Sequence, residues 1–323
     1  MSSTSTMSLL PCLAYHSVKD RSTVLFSVPE KKPIAGGETG ALENMIICPT
    51  ARGFLLVRDP TSLATFLWSH QSRSKIELPP LPLDVDDQQL VYCSCLLSDK
   101  PTAPGCVVPL APPGLRSWRI SNTEDPFIWF CRVGDGQWVK HEYDIGTLVL
   151  PDWDPPEEKV VICPIAACRG KFYFNGMPDS LGVIDFCGPA PVFSSITIDE
   201  TIDEDHGTVF LVESDGQLYM VCLLSVDVSE PYRGATVHRM DFLKQQWCKV
   251  DDLGGRAFLL SLYVFGASCS GDKCGLRQNC LYLPDPDEKT LQIFNVKGGS
   301  VELQKLDEAP VSDKSFWVVP TDP

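Results

Sequence analysis

The sequence predicts an all-β fold, a single β-propeller of six blades, and three observations lead to this prediction. Helical patterns are nearly absent, and 27 prolines and 23 glycines interrupt the chain. Short apolar segments bounded by turn residues, which are typical of strands, recur along the whole length. A feature made of two strands and a turn repeats about every 55 residues, the spacing of a propeller blade.

The predicted strands follow one another through the chain, and turn residues separate them. They are expected at Thr23–Val28, Gly53–Arg58, Ala64–Ser69, Lys75–Leu78, Leu90–Leu97, Cys106–Leu110, Phe127–Val133, Trp138–Tyr143, Val160–Pro164, Lys171–Asn175, Leu181–Phe186, Val192–Ile198, Thr208–Glu213, Gln217–Leu224, Thr236–Phe242, Trp247–Val250, Ala257–Val264, Cys280–Leu283 and Leu291–Val296. The last three are interpreted as antiparallel strands, with a loop rich in Gly, Ser and Cys between the first two.

In each repeat, the second strand begins with a bulky apolar residue, called here the opening residue. These opening residues are Val24, Ile76, Trp138, Val192, Trp247 and Val301. The long loop Asp99–Thr123 explains why one spacing exceeds the others. A propeller also needs its ends joined, so we expect Phe316–Val319 to pair with the N-terminal strands and complete one blade. That blade is expected to be one strand short, with Asp307–Ser315 as a poorly ordered connection.

Composition and charge narrow the possible functions. Of 323 residues, 44% are hydrophobic and 21% are charged, which is typical of a folded protein with a core. The formal net charge of −15 would repel a phosphate backbone. The longest apolar run, Ala257–Ala267, is about half as long as a membrane span. We therefore expect neither nucleic acid nor a membrane as a partner.

The fourteen cysteines lie mostly within apolar strands, where cysteine serves as a small buried residue in a reducing compartment. The chain has no Asn-x-Ser/Thr sequon, and its N-terminus lacks the pattern of a secretory signal. We expect a monomer in the cytoplasm, the nucleus or both, with organelle targeting as an alternative. Residues 1–8 are expected to form a disordered tail, and residues 9–323 the propeller domain.

The sequence contains no clear motif for catalysis, a cofactor or a metal. Gly266–Lys273 resembles a phosphate-binding loop, but Asp272 stands where the lysine should follow the last glycine. Zinc needs close ligand pairs, and no Cys-x-x-Cys occurs. Cys269 and Cys274 could instead form a redox couple. The five histidines are isolated, and His238 is interpreted as packed or pore-lining, so no catalytic residue is assigned.

The candidate binding residues lie in three loops, Asp99–Thr123, Asp199–His206 and Ser268–Gln278, except for Trp153, which lies next to another Pro-rich loop. The acidic run in Asp199–His206 is interpreted either as a solvated loop or as a docking patch for a basic partner. Tryptophans in the repeated strand pairs (Trp68, Trp129, Trp138 and Trp247) are expected in the core, whereas those near Pro-rich loops suit a rim. The predicted rim residues are Trp118, Trp153, Asp199, Glu200, Asp203, Glu204, Asp205, Lys273 and Arg277.

Several segments resemble a plant family. They are GGRAFLLS from Gly254, GLRQNCLYLPD ending at Asp285, LPPLP from Leu78, KFYF from Lys171 and GQLYMV from Gly216. Their order and spacing are similar to those of the domain-of-unknown-function-295 family, also described as the KIB-type β-propeller. The resemblance implies a propeller that grips a target protein, behind an N-terminal F-box that docks a ubiquitin-ligase scaffold.

The sequence departs from that family at its N-terminus. Too few residues precede the predicted first strand, Thr23–Val28, for the three helices of an F-box, so the ligase-adaptor role is not carried over. We therefore expect a non-enzymatic, substrate-receptor-like module that binds an unidentified protein. The alternative is an enzyme or a small-molecule binder that uses the central channel. A channel in which a histidine and two carboxylates meet would favour that alternative.

Overall fold

The fold is a ring of six β-sheets, or blades, around a central channel, which confirms the predicted propeller. A computed structural model of the chain describes residues 10–17, 19–34, 42–82, 87–112, 126–149, 157–177, 179–199, 207–225, 231–261, 265–312 and 314–321. The predicted tail, residues 1–8, lies outside them. In each blade the innermost strand borders the channel.

Blade 1 takes its strands from both ends of the chain. From the channel outwards they are β27 (Lys314–Val318), β1 (Cys12–Ser17), β2 (Ser22–Ser27) and β3 (Lys32–Pro33). β27 is antiparallel to β1, with Phe316 opposite Ala14, so the predicted closure is confirmed. The blade has four strands rather than three, although its outermost strand has only two residues. The sequence analysis missed β1.

Blades 2 to 5 are four-stranded antiparallel sheets whose strands follow chain order from the channel outwards. Blade 2 contains β4 (Ile46–Pro49), β5 (Phe54–Arg58), β6 (Thr65–Ser69) and β7 (Lys75–Leu78); blade 3 contains β8 (Ser94–Cys95), β9 (Val107–Ala111), β10 (Phe127–Arg132) and β11 (Val139–Glu142). Blade 4 contains β14 (Ile165–Cys168), β15 (Lys171–Met177), β16 (Ser180–Asp185) and β17 (Val192–Thr197); blade 5 contains β18 (Gly207–Ser214), β19 (Gln217–Leu224), β20 (Gly234–Asp241) and β21 (Gln246–Val250).

Two of the connections between blades contain a helix or strands. A short helix, α1 (Asp87–Leu90), precedes β8, and a hairpin of β12 (Thr147–Val149) and β13 (Glu157–Lys159) lies between blades 3 and 4. The helix and the two-residue β8 occupy the segment in which one continuous strand, Leu90–Leu97, was predicted. Among the described residues, no helix has the length and apolar character needed to cross a membrane.

Blade 6 has five strands, and its order departs from that of the other blades. The strands are β22 (Arg256–Ser261), β23 (Phe265–Ser270), β24 (Cys280–Asp285), β25 (Thr290–Asn295) and β26 (Val301–Lys305). From the channel outwards the order is β23, β22, β24, β25, β26, and the β22–β24 pair is parallel. The expectation of antiparallel strands joined by a loop is therefore wrong here, because the small-residue segment forms β23.

This order follows from the direction in which the chain enters blade 6. Arg256 Nη1 lies 3.7 Å from Asp215 Oδ1 in the β18–β19 turn, so β22 begins at the end of the ring where β18 finishes. The innermost strands of the other blades begin at the opposite end. β23 doubles back to fill the inner position, and the fifth strand then returns the chain to the end of the ring where β27 begins.

Six apolar clusters fill the spaces between neighbouring blades in the described part of the chain. Between blades 6 and 1, for example, Tyr282 packs edge-on against Trp317 at 6.4 Å between ring centres. The four tryptophans expected in the core pack against these clusters, as predicted. The core is thus divided into six interfaces, and a strand such as β1 serves two of them, with Leu13 in one cluster and Ala14 in the next.

The predicted repeat marks the outermost strands. Five opening residues lie in or directly before these strands: Ile76, Trp138, Val192, Trp247 and Val301. Val24 instead lies in the third strand of its blade, because the outermost strand there is so short. The segment Asp307–Ser315 was predicted to be poorly ordered, and this is wrong for its last two residues. Lys314 and Ser315 are buried in β27, between blades 6 and 2.

Candidate functional site

The inner strands enclose a narrow channel. Its volume is about 50 Å³, room for a few water molecules. Every blade contributes to its wall, with Phe316, Pro49, Cys95, Ala166, Glu213 and Gly266 coming from blades 1 to 6 in turn. The ends of β4 and β27 lie together, because a Cβ on Gly53 would come within 2.6 Å of Thr321 N. These strands therefore run in the same direction. Arg52 follows β4 and Lys314 begins β27, so the two residues lie towards opposite ends of the channel.

An ion pair occupies one end of the channel wall. Arg52 Nη2 lies 4.0 Å from Glu213 Oε2, and both side chains are about one-quarter exposed. Arg52 Nε also donates a hydrogen bond to Leu97 O at 3.2 Å, and Glu213 Oε1 accepts one from Gly216 N at 2.7 Å. Glu213 is the one carboxylate among the described wall residues, and they include no histidine. The described wall thus does not join a histidine and two carboxylates.

Lys314 forms the other end of the wall and is 4% exposed. Its Nζ donates a hydrogen bond to Val91 O and lies 5.8 Å from the ring centre of Tyr92 and 5.6 Å from that of Phe316. Burial lowers the pKa of Lys314. Ser261 Oγ, on the same wall, has no hydrogen-bond partner among the described residues. This end of the channel is therefore polar but largely shielded from solvent.

Two thiols, Cys48 and Cys93, lie near Lys314, and together with Cys95 they belong to the cluster between blades 2 and 3. Cys48 Sγ donates a hydrogen bond to Cys93 O at 2.8 Å and interacts with the Cys95 thiol. Burial raises the pKa of Cys48, but the bonds from Cys95 and the charge of Lys314 outweigh it, so the net direction is downward. The bond to Cys48, followed by burial, raises the pKa of Cys95. Burial raises that of Cys93.

The turn between β23 and β24 presents two of the predicted rim residues. Lys273 and Arg277 are both exposed, and Arg277 Nη2 lies 2.8 Å from Glu302 Oε2. The turn is held in place because Leu276 is buried in the cluster between blades 6 and 1 and its N–H donates to Gly271 O at 2.9 Å. The predicted loop was too long, because Ser268–Ser270 belong to β23.

The other predicted rim residues are less completely described. Asp199 is exposed in the connection between blades 4 and 5, and its N–H donates to Gln245 O at 3.3 Å. Six residues lie outside the described residues: Trp118, Trp153, Glu200, Asp203, Glu204 and Asp205. The binding role of all nine residues stays a prediction.

The remaining candidates for chemistry are mostly packed side chains. His238 is buried in β20, the third strand of blade 5, in agreement with a packing role. Cys269 is buried and Cys274 is half-buried. Within the described ranges, no group of three or more His, Cys, Asp or Glu side chains is placed to hold a metal ion. The sequence analysis missed Lys314 and its thiols, since they are far apart in the chain and form no motif.

Comparison with known proteins finds similar solved structures and a matching family model. No curated protein matches the chain. One similar solved structure is the β-propeller domain of Cps50 (Swd1) from Myceliophteria thermophila, at 11% identity and a TM-score of 0.36, with 91% of this chain and 96% of that chain covered. Another is a functionally unknown protein from Desulfotomaculum acetoxidans DSM 771, at 9% identity and a TM-score of 0.43, with 96% and 99% covered.

A streptogramin B lyase is also similar, at 9% identity and a TM-score of 0.37, with 93% of this chain and 84% of that chain covered. The family model for the KIB1-4 beta-propeller matches residues 16–295, which is most of the sequence. With its six blades and this match, the chain belongs to the KIB1-4 beta-propeller family.

Proposed function

We propose that this chain is a non-enzymatic, substrate-receptor-like module that binds a protein partner through the rim of the propeller. The anchored turn Gly271–Asn279 carries this proposal, because it holds two exposed cations, Lys273 and Arg277, on a rigid support at the end of an inner strand. Rigid loops on a stable scaffold are common binding sites, since little conformational entropy is lost when they bind. On a chain of net charge −15, these cations suit a partner that presents acidic groups.

Affinity purification of the tagged chain, followed by mass spectrometry, tests this proposal. The variant Lys273→Glu/Arg277→Glu should lose a partner that the unmodified chain retains. Lys244→Glu is the matched control, because it reverses an exposed turn lysine in blade 5. A second variant that neutralises the acids of Asp199–Asp205 tests the acidic loop. Equal recovery of every partner by all four proteins, at equal thermal stability, would rule out both rim sites.

The alternative is a small-molecule role for the channel, and Lys314 favours it. A buried cation on a channel wall can hold a small anion, since the low dielectric strengthens their attraction. If the channel has this role, formate should raise the melting temperature of the unmodified chain more than that of Lys314→Met. An equal rise in both proteins would leave rim binding as the better interpretation.

A further inference from the structure

Cys48 and Cys95 lie on the inner strands of neighbouring blades. β4 and β8 are side by side, and both cysteines are buried in the cluster between blades 2 and 3. Cys48 Sγ donates a hydrogen bond to Cys93 O at 2.8 Å, two residues before Cys95, it interacts with the Cys95 thiol, and all three cysteines are free. Cysteines that share one cluster between adjacent strands can be joined by a disulfide when their Cβ atoms point towards each other.

Lys314 distinguishes this pair from other buried thiols of the chain. Its charge acts on Cys48 and Cys93, and no described carboxylate forms an ion pair with it. A nearby cation stabilises a thiolate, and the thiolate is the form that reacts. Burial raises the pKa of Cys131, in the same cluster, and the charge of Asp135 raises it further, so both disfavour a thiolate there. The surroundings therefore favour reaction at Cys48 over reaction at Cys131.

The channel reaches Cys95, and Cys48 lies in the same cluster behind the wall. Cys93, Cys95 and Lys314 belong to the wall, and the volume of about 50 Å³ accommodates a molecule not much larger than water. Hydrogen peroxide is of this size, whereas glutathione and protein thiols are far too large to enter. A small peroxide is therefore the oxidant that fits this site.

We propose that Cys48 and Cys95 form an oxidisable dithiol, in which Cys48 reacts first with hydrogen peroxide and Cys95 completes the disulfide. The Cys48 thiolate attacks one peroxide oxygen, the O–O bond breaks, and the hydroxide released takes up a proton to become water. Cys95 then attacks the sulfur of the Cys48 sulfenic acid, an S–S bond forms, and the S–O bond breaks to release a second water. Two thiols and one peroxide thus give one disulfide and two waters.

The disulfide would join blades 2 and 3 at the channel. Because a cross-link restricts the unfolded chain, the oxidised protein should melt about 2–6 °C higher than the reduced protein. This effect is independent of the rim, so the dithiol and the proposed partner binding can fail separately.

Mass spectrometry of the folded, full-length chain after treatment with equimolar hydrogen peroxide tests the proposal. We expect a Cys48–Cys95 cross-link, with Cys131 recovered as a thiol that alkylates only after unfolding. Cys93→Ser should keep the cross-link, because Cys95 rather than Cys93 is the partner of Cys48. Cys48→Ser and Cys95→Ser should each lose the cross-link. Cross-linking through Cys93, or oxidation of Cys131 as fast as that of Cys48, would overturn the proposal without any variant.

The role of Lys314 has its own measurement. Lys314→Met should slow oxidation of Cys48 about tenfold, because less of the thiol is ionised. Lys305→Met, an exposed lysine in β26, is the matched control and should leave the rate unchanged. Equal rates in Lys314→Met and the unmodified chain, both shown to be folded by their melting curves, would contradict the assignment of Lys314.

Discussion

Inner and outer strands of the same propeller have opposite exposure. Every residue of the inner strands β4 and β27 is buried, whereas the outer strands β11 and β26 are largely exposed. An inner strand is covered by blades on both sides and borders the channel, so many of its residues enter a core, although β18 and β23 also contain partly exposed residues. An outer strand lacks this cover. Position along the blade, rather than strand propensity, therefore decides what a substitution costs.

Two lysines show the same contrast. Lys314 lies in inner strand β27 and is buried, whereas Lys305 lies in outer strand β26 and is exposed. In place of water, a carbonyl oxygen, two aromatic rings and nearby thiols surround the ammonium group of Lys314. If the contrast between inner and outer strands is correct, changes to inner strands should cost far more than changes to outer ones.

The largest effect should come from removing an inner strand altogether. A chain that ends before Lys314 lacks β27 and with it Phe316 and Trp317, which fill the clusters on both sides of blade 1. It also exposes the edge of β1. We expect no cooperative unfolding transition in urea and a weak near-ultraviolet circular dichroism signal. A chain ending at Thr321 is the control, and a truncated chain that unfolds like it would contradict the closure.

Gly266 in β23 provides the next test. A Cβ there would lie 2.8 Å from Leu211 O and 2.7 Å from Val212 Cγ2 of the adjacent inner strand β18. Gly266→Val should lower the free energy of unfolding by about 3 kcal/mol, because neither strand can move without opening the cluster between blades 5 and 6. Gly136→Val, in the exposed β10–β11 turn, meets no atom within 4 Å. Urea denaturation that showed equal losses for both variants would contradict the tight inner ring.

Lys314→Met should raise the free energy of unfolding by about 1–2 kcal/mol at pH 7, because an apolar side chain avoids the desolvation of a buried charge. The pKa of Lys314 is lowered from its ordinary value of 10.5 by burial, so the unfolded chain binds this proton more tightly. Protonation therefore favours unfolding, and the unmodified chain should gain stability relative to Lys314→Met as pH rises towards 10.5.

The measurement is urea denaturation of both proteins between pH 7 and pH 10, with Lys305→Met as the control. The exposed outer lysine should change stability by less than about 0.5 kcal/mol at every pH. If the difference in the free energy of unfolding between the unmodified chain and Lys314→Met does not shrink as the pH rises, the burial of Lys314 does not destabilise the fold.

The smallest effect is expected at the rim. Arg277 and Glu302 form an ion pair in which both side chains are more than half exposed. Arg277→Ala should therefore lower the free energy of unfolding by less than about 1 kcal/mol, and salt should reduce the difference further. Thermal unfolding at low and high ionic strength checks this. A larger loss would mean that the turn Gly271–Asn279 supports the fold as well as a binding surface.

Much of the fold could be predicted because strand signals are local. The outer strands begin with residues such as Ile76 and Trp247, which recur at one spacing because each blade repeats the same contacts. The closing strand was also predictable, since Phe316–Val319 is an apolar segment left over after six repeats. β1 and β23 were missed because the first contains no β-branched residue and small residues make up much of the other, so neither has a strong strand pattern.

The sequence alone determined the number of blades and the closure of the ring, because apolar periodicity and turn residues act over a few neighbours along the chain. Only the tertiary structure decided the strand order of blade 6, the burial of Lys314 and the meeting of Cys48 with Cys95. These features depend on the direction in which strands enter the ring and on residues far apart in the chain. No local pattern encodes such distances, so a lysine predicted in a loose connection forms part of the channel wall.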